Sequence, residues 1–221
     1  MLSANEVSQL EFHDWKLKVR PPAGNNTPRL TLMIHGWSGD ENVMWIFASH
    51  LPHDGWVIAP RGPVSAPDGG YGWVPHRDGY WPTIEDFRQP AQALIALIDD
   101  WISEHTIGNS RIRLLGFSQG AAMSLALALL YPQRIERAAV LSGFMPSGIE
   151  SYPPDRRLEG LPFYVAHGTL DETVPVEQAR RMVAALERFG AQVTYCESQV
   201  GHKLSIECLH GLSHFFAQAI S

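Results

Sequence analysis

The sequence feature that most constrains the fold is a glycine-flanked serine between a strand-like run and a helix-forming stretch. Residues 112–115 are largely apolar, residues 121–130 are small or leucine-rich, and Gly116–Gly120 (GFSQG) lies between them. A Gly-x-Ser-x-Gly pattern in this context is typical of a nucleophile elbow, a tight turn that holds the serine in a strained backbone conformation. Glycines flank the serine because larger side chains would clash in the turn. The pattern predicts Ser118 as a nucleophile.

Strand and helix patterns alternate along the rest of the chain. Near-continuous apolar runs, as expected for buried strands of a parallel sheet, lie at residues 29–34, 55–59, 111–115, 137–141 and 162–166. Helical patterns lie at residues 42–50, 94–102, 119–130, 176–189 and 204–220. This alternation predicts an α/β domain with a mainly parallel sheet and helices on both faces. No linker or repeat divides the chain, so we predict a single domain over residues 1–221.

Two more strands are predicted near the ends of the chain, and one helix has an ambiguous start. Residues 11–20 alternate loosely and predict one strand, and residues 191–198 predict another. The helix around residues 94–102 has two candidate starts, because Thr83–Asp86 resembles a capping box whereas Pro90 suits a first helical turn. Both starts remain open at this point.

Composition and charge exclude several classes of protein. The chain is 45% hydrophobic and 18% charged, as in ordinary globular proteins, and its net charge of −6 without a Lys/Arg cluster argues against a nucleic-acid partner. The longest apolar stretch, residues 121–131, is about half of a membrane span, and residues 1–15 lack a secretory pattern. Two cysteines, Cys196 and Cys208, favour free thiols in a reducing compartment over a disulfide scaffold. We therefore expect a cytoplasmic protein without stable membrane insertion.

A serine nucleophile needs a base to take its proton and an acid to orient that base. In α/β-hydrolases the acid follows the serine in the chain and the histidine comes last. Asp171 follows the 162–166 strand, at the edge of a parallel sheet where ligands bind. Its neighbour Glu172 competes, and Asp155 is a weaker rival in a proline-rich loop. We select Asp171 because its shorter side chain follows the turn, whereas Glu172 can face solvent.

His202 is the candidate base among ten histidines. It follows a Val-Gly pair between the last strand and the last helix, at the edge predicted for the site. His210 and His214 lie inside that helix without a third His or Cys ligand nearby, so we expect no metal site. His167 ends a strand and suits a backbone contact, and the six other histidines precede Ser118, which is the wrong order.

The negative oxygen of a tetrahedral intermediate needs preorganised donors. One should be the backbone N–H of Gln119, directly after the nucleophile, and we assign the other to the Trp37 N–H, where Gly36 permits close approach. Ser38 in the same loop looks like half an elbow. It lacks a second glycine at the required offset, and an acidic pair follows it, so Ser118 remains the predicted nucleophile.

Four segments together resemble the carboxylesterase/phospholipase family of α/β-hydrolases, which includes the acyl-protein thioesterases. They are His35–Asp40 (HGWSGD), Gly116–Gly120, Asp171–Pro175 (DETVP) and Gly201-His202. The resemblance runs from about Arg29 to the C-terminus. It implies a seven-stranded, mostly parallel sheet, no cofactor, and hydrolysis of carboxylic esters or thioesters. It also assigns the catalytic roles to Ser118, Asp171 and His202 and the oxyanion donors to Trp37 and Gln119.

The chain departs from the thioesterase members in ways that favour a general esterase. Those members usually carry Leu-Gly after His-Gly, where this chain has Trp37-Ser38. The glycine-rich segment 63–82 resembles that of small bacterial esterases, and its aromatic residues either fix the loop on the core or line an acyl pocket. As pocket residues we expect Trp73 and Trp81, with Tyr71 beside them. No insertion is long enough for a cap domain, which predicts an open cleft.

The sequence thus predicts a serine carboxylesterase that hydrolyses short- to medium-chain esters through an acyl-enzyme. One alternative keeps the same triad and uses a thioester or a lysophospholipid as substrate. An alternative of another class is a non-catalytic hydrolase-fold binding protein. The expected partner is a small-molecule ester or thioester, and the sequence leaves the oligomeric state, including a homodimer, open.

Overall fold

A computed structural model describes residues 6–24, 28–108, 111–149, 152–153 and 155–219. Its strands are β1 Ser8–Phe12, β2 Trp15–Arg20, β3 Arg29–Ile34, β4 Gly55–Pro60, β5 Val64–Ser65, β6 Tyr71–Gly72, β7 Ile112–Phe117, β8 Ile135–Leu141, β9 Pro162–Gly168 and β10 Gln192–Ser198. Its α-helices are α1 Arg88–Glu104, α2 Gln119–Leu130, α3 Val176–Arg188 and α4 Ile206–Ala217, with 3-10 helices at Val43–His50 and Pro132–Arg134.

Eight of the strands form one sheet in the order β1-β2-β4-β3-β7-β8-β9-β10. From β4 to β10 the neighbours pair in parallel, whereas β2 pairs with β4, and β1 with β2, in antiparallel fashion. The predicted α/β fold with a mainly parallel sheet is confirmed. The sheet has eight strands rather than seven because residues 11–20 are not one strand. The chain turns back at His13, which has a φ of 51°, so β1 and β2 form a hairpin.

Helices cover both faces of the sheet because consecutive strand residues point to opposite sides. Leu114 of β7 belongs to the core beneath α1, α2 and α3, and its neighbour Leu115 belongs to the core beneath α4 and the 3-10 helix Val43–His50. The carboxyl ends of the parallel strands therefore meet at one edge, between the two helical layers. The loops that carry the predicted site residues leave from this edge.

The structure decides between the two candidate starts of helix α1. Helix α1 begins at Arg88 with Pro90 in its first turn, so the Pro90 alternative is correct. The stretch predicted as a helix at 42–50 is a 3-10 helix, and α4 ends at Ala217, with residue 220 of its predicted span outside the described residues. No helix in the described part of the chain is both long and apolar enough to cross a bilayer.

The two cysteines are bonded to each other. Cys196 on β10 and Cys208 on α4 form a disulfide, with Cα atoms 5.8 Å apart. The prediction of free thiols is wrong because the chain reverses between β10 and α4 and brings the two residues together. The argument for a reducing compartment from unpaired cysteines no longer holds, and a cytoplasmic location stays a prediction.

Candidate active site

Ser118 lies in a strained turn between β7 and α2. Its φ of 55° and ψ of −119° are rare for a residue with a side chain, and such a conformation costs on the order of 1–3 kcal/mol. The turn is held from the neighbouring strand, because the Ser118 N–H donates to the Leu141 carbonyl at 2.9 Å. Strain of this kind persists where the surrounding structure over-determines it.

The two glycines of the elbow are required by close backbone approach. A Cβ at Gly116 would lie 2.2 Å from the Gly120 carbonyl oxygen, and a Cβ at Gly120 would lie 2.0 Å from the Ile34 carbonyl oxygen. Both distances are far below van der Waals contact. The Gly-x-Ser-x-Gly pattern is therefore explained by packing of the elbow against β3 and the first turn of α2.

Asp171 and His202 are joined by a hydrogen bond of 2.7 Å between Oδ2 and Nδ1. The other carboxylate oxygen, Oδ1, accepts from the N–H groups of Thr173 and Val174, each at 2.9 Å. The Asp171 side chain is fully buried, and that of His202 is 24% exposed. Since the carboxylate can only accept, Nδ1 carries the imidazole proton and leaves the Nε2 lone pair free for a proton from another group.

Neither rival acid is hydrogen-bonded to His202 in the described part of the chain. Glu172 is exposed, and Asp155 lies in an exposed loop where the Arg157 guanidinium donates to it at 2.8 Å. That hydrogen bond keeps the pKa of Asp155 below its usual range. Of the three candidates, Asp171 alone orients the histidine.

Ser118 and His202 line the same two cavities at the carboxyl edge of the sheet. The ring of His202 lies 4.9 Å from that of Phe117, the residue before the serine. Among the hydrogen bonds of the described residues, none joins Ser118 Oγ to His202. The structure thus brings the three predicted residues to one site and links two of them directly.

The loop after β3 approaches the serine closely. A Cβ at Gly36 would lie 3.1 Å from Ser118 Cβ, so glycine allows the loop to run beside the nucleophile. The next residue, Trp37, lines both cavities. Gln119 occupies the first position of α2, where helix geometry leaves the backbone N–H without an intrahelical acceptor. Both predicted oxyanion donors therefore belong to residues that border the serine.

Trp73 lies elsewhere than expected. It is 1% exposed and lines neither cavity that contains Ser118. Its indole N–H donates to the His35 carbonyl at 2.8 Å, and its backbone N–H donates to the Gln119 side-chain oxygen at 2.7 Å. Trp73 therefore fixes the 63–82 segment on the core, which is the other role that the sequence left open. The expectation of a pocket wall is corrected for this residue.

The remaining aromatic residues divide between two places. Trp81 lines the larger cavity at Ser118 and packs on Phe144 with ring centroids 4.9 Å apart. Tyr71 lines a separate cavity beside Arg61, which stacks on its ring at 4.6 Å. The expectation that Tyr71 contacts substrate is corrected by this placement, because Tyr71 lines neither of the cavities that contain Ser118.

The two cavities at Ser118 differ in character, and Trp37 borders both. The smaller, about 300 Å³, is walled mainly by apolar side chains from the 3-10 helix and the elbow: Val43, Met44, Ile46, Phe47 and Phe117. The larger, about 480 Å³, combines aromatic and polar groups: His76, Arg77, Tyr80, Trp81, Phe144 and Thr173. Both cavities share Trp37, Ser38, Ser118 and His202 as lining residues.

His167 makes the backbone contact expected for it, and the Gln119 side chain adds a contact that the sequence did not predict. His167 is buried; its Nε2 donates to the Val174 carbonyl at 2.8 Å and lies 3.4 Å from Asp171 Oδ2. The Gln119 side chain donates to the Val74 carbonyl at 2.9 Å and so ties the elbow to the 63–82 segment. The available signal for His167 was its place at a strand end, four residues before Asp171.

Comparisons with known proteins agree on one family. A family model described as phospholipase/carboxylesterase matches residues 17–220. Acyl-protein thioesterase 1 of Debaryomyces hansenii is 29% identical over 180 residues, which cover 72% of this chain and 76% of that protein. Carboxylesterase SOBER1 of Arabidopsis thaliana is 29% identical over 178 residues, 74% of this chain and 72% of that protein.

A solved structure shows the same fold. The crystal structure of a carboxylesterase from Mesorhizobium loti superposes with a TM-score of 0.82 at 21% identity, covering 96% of this chain and 99% of that chain. The resemblance seen in the four sequence segments is confirmed by the family match. This chain belongs to the phospholipase/carboxylesterase family of α/β-hydrolases.

Proposed function

We propose that this protein is a serine carboxylesterase that works through an acyl-enzyme on Ser118. The observation that carries the proposal is the Asp171–His202 hydrogen bond of 2.7 Å beside a serine in a strained elbow. A buried carboxylate, an oriented imidazole and a nucleophile at one sheet edge are the parts that acyl transfer needs. Membership of a family of carboxylesterases and phospholipases supports the same reaction class.

The reaction follows from the positions of these groups. Ser118 Oγ attacks the ester carbonyl carbon while His202 Nε2 takes the hydroxyl proton, and the Asp171 carboxylate stabilises the imidazolium. The N–H groups of Trp37 and Gln119 stabilise the negative oxygen of the tetrahedral intermediate. As the intermediate collapses, His202 returns the proton to the departing alcohol, leaving an acyl-enzyme. Water, activated by His202, then releases the carboxylic acid and the free serine.

The substrate class that the cavities favour is a short- to medium-chain ester. The apolar cavity of about 300 Å³ is bounded by Val43 and Ile46, which are 45% and 74% exposed, so its mouth is open. The described residues of the segment between β8 and β9 form turns and no α-helix, which leaves the cleft without a helical cap. A cavity of this volume with an exposed apolar rim suits small acyl groups better than long buried ones.

A thioester is the second candidate substrate. The relative from Debaryomyces hansenii is named an acyl-protein thioesterase, and the same triad would cleave a thioester by the same steps. Hydrolysis rates for matched esters and thioesters of increasing chain length separate the two. We expect the highest kcat/KM for short or medium esters. A preference above tenfold for long-chain thioesters would overturn that choice.

A fluorophosphonate probe tests the proposal directly, because it bonds covalently to an activated serine. We expect one equivalent of label on the peptide that contains Ser118 and none in Ser118→Ala. Ser38→Ala is the matched control: Ser38 lines the same cavities and its hydroxyl donates to the Trp37 carbonyl at 2.7 Å. It should retain the label. An unlabelled wild-type protein would favour the non-catalytic binding protein instead.

A further inference from the structure

A buried histidine, His35, lies directly before the loop that carries the Trp37 N–H, and the reaction steps above give it no part. It is 1% exposed. Its Nε2 lies 2.8 Å from the Gly62 N–H, and its Nδ1 lies 2.7 Å from the Gly36 carbonyl oxygen. Both ring nitrogens thus meet backbone groups whose hydrogen-bonding roles are fixed.

These contacts assign the tautomer. The Gly62 N–H can only donate, so Nε2 of His35 holds the lone pair, and the Gly36 carbonyl can only accept, so Nδ1 carries the proton. Burial lowers the pKa of His35 and favours this neutral form over the imidazolium. His35 is therefore a neutral donor aimed at one particular carbonyl.

That carbonyl belongs to the peptide group whose other end is the Trp37 N–H. In a trans peptide the C=O and the N–H point in opposite directions, and the described residues contain no cis peptide. The Gly36 oxygen also accepts from the Gly39 N–H at 3.1 Å, so two donors hold it. Fixing the carbonyl fixes the direction of the Trp37 N–H, away from the His35 ring.

We propose that His35 is a positioning residue that orients and polarises the Gly36–Trp37 peptide so that the Trp37 N–H is preorganised as an oxyanion donor. When a carbonyl accepts a hydrogen bond, the amide is polarised, and the N–H at its other end becomes a stronger hydrogen-bond donor. Preorganised donors of this kind stabilise charge as it forms, at no cost of reorganisation during the reaction. This inference rests on the proposed function and deepens it.

Hydrogen bonds and close packing of the surrounding loop restrict the position of the His35 ring. Gly62, its partner at Nε2, follows Arg61, whose guanidinium makes two 2.7 Å hydrogen bonds to the buried Glu41 carboxylate. Glu41 lies at the far end of the same loop. A Cβ at Gly39 would lie 2.9 Å from His35 Nδ1, so the loop folds tightly around the ring. Both ends of the loop are fastened to the segment that follows β4.

Two substitutions separate the two hydrogen bonds of the ring. In His35→Asn the side-chain amide nitrogen replaces Nδ1 and can still donate to the Gly36 carbonyl, whereas in His35→Gln the amide reaches the position of Nε2 and that donor is lost. We expect His35→Gln to lower kcat about 10- to 100-fold with KM little changed, less than the loss of a whole oxyanion donor. His35→Asn should keep most of the activity that His35→Gln loses.

An alkyl boronic acid supplies a readout independent of turnover, because it forms a tetrahedral adduct on the serine hydroxyl. Its affinity should fall in His35→Gln in parallel with kcat. The matched control is His105→Gln. His105 Nδ1 also meets a backbone carbonyl, that of Trp101 at 3.0 Å, at the end of α1 that leads into the opposite edge of the sheet. We expect kcat and boronate affinity unchanged in that variant.

Three results would overturn the inference. One is unchanged kcat in His35→Gln; another is an equal loss in the Asn and Gln variants with a lowered melting temperature, which indicates a structural role only. The third needs no variant: ¹⁵N NMR of the wild-type imidazoles should show His35 protonated at Nδ1, and protonation at Nε2 would contradict it. The proposed function fails separately, if wild-type Ser118 takes no fluorophosphonate label.

Discussion

The sheet has one edge at the carboxyl ends of its parallel strands and one at their amino ends, and these two edges carry different side-chain interactions. At the carboxyl edge, Ser118 lies in a strained turn, His202 is hydrogen-bonded to Asp171, and the buried His35 and His167 donate to backbone carbonyls. At the amino edge, Arg113 at the start of β7 donates to Glu136 of β8 at 2.8 Å and to Asp54 at 2.9 Å, and Arg29 of β3 reaches Glu136 at 3.1 Å. In the proposed function the first edge moves a proton, whereas the charges of the second edge stay paired.

The charges of the amino edge also fasten the last helix. Arg137 of β8 is 2% exposed, and its guanidinium donates to the carbonyls of Phe215 and Gln218 at the end of α4. Burial, with the charge of Arg113 nearby, lowers the pKa of Arg137. We therefore expect a division: positions at the amino edge should govern stability, and positions at the carboxyl edge should govern chemistry. The predictions below test whether that division holds.

The largest effect is expected at Ser118. Ser118→Ala and Ser118→Gly should both lower kcat by a factor of roughly 10⁴–10⁶, because the nucleophile is gone. They should differ in stability, since glycine adopts a φ of 55° without the strain that any side chain brings. We expect Ser118→Gly to be about 1 kcal/mol more stable than Ser118→Ala in urea unfolding. Equal stabilities would contradict the strain argument.

Substitution of the acid Asp171 should lower kcat nearly as much as loss of the serine. Asp171→Asn keeps an oxygen to accept from the N–H groups of Thr173 and Val174 but presents an amide to His202, which favours the wrong tautomer. We expect kcat to fall about 10⁴-fold with the melting temperature little changed. The matched control is Glu172→Gln, an exposed neighbour, for which kcat should stay within twofold. A comparable loss in both variants would contradict the assignment of Asp171.

At the amino edge the order of effects should reverse. Glu136→Gln removes the acceptor charge from Arg113 and Arg29 in a buried setting, and breaking such a pair typically costs about 3–5 kcal/mol. We expect that loss in the free energy of unfolding, with kcat of the folded enzyme unchanged. Glu85→Gln is the control, because its partner Arg88 is exposed. It should melt like the wild type. A fall in kcat for Glu136→Gln would show that the two edges are coupled.

Short-range patterns predicted much of this molecule. The alternation of apolar runs and helices predicted the parallel sheet, and the loops after β9 and β10 were identified as the places of Asp171 and His202, which the structure joins by a hydrogen bond. These inferences work because a motif and its flanking elements lie within a few residues of each other. Chain order then selects among the candidates.

Contacts between distant segments could not be predicted in the same way. The Trp73 backbone N–H donates to the Gln119 side chain, 46 residues away. This contact helps to place Trp73 in the core, whereas the sequence predicted a wall of the pocket. The role of His35 depends on Gly62, 27 residues further along the chain. The disulfide depends on how tightly the chain reverses after β10. Each is set by packing, for which one sequence carries no direct signal.

The Cys196–Cys208 disulfide links β10 to α4 near the carboxyl edge. Its removal should affect stability rather than activity, and this main effect should be the smallest among these substitutions. Cys196 and Cys208 lie 12 residues apart in sequence, and His202 lies within the loop that they close. Closing a loop of this length stabilises the folded chain by about 3 kcal/mol in the loop-entropy account. We expect the double variant Cys196→Ser/Cys208→Ala to lose about that much in urea unfolding.

Its activity should nevertheless stay within a few fold of the wild type at 25 °C, because the hydrogen bond to the buried Asp171 still orients His202. A dithiol reductant should lower the melting temperature of the wild type and leave that of the double variant unchanged, which controls for effects of the reductant elsewhere. If kcat fell more than tenfold while the melting temperature held, the bridge would act on the geometry of His202 rather than on the unfolded chain. That outcome would place Cys196 and Cys208 with the chemistry of the carboxyl edge, and not with the interactions that only stabilise the fold.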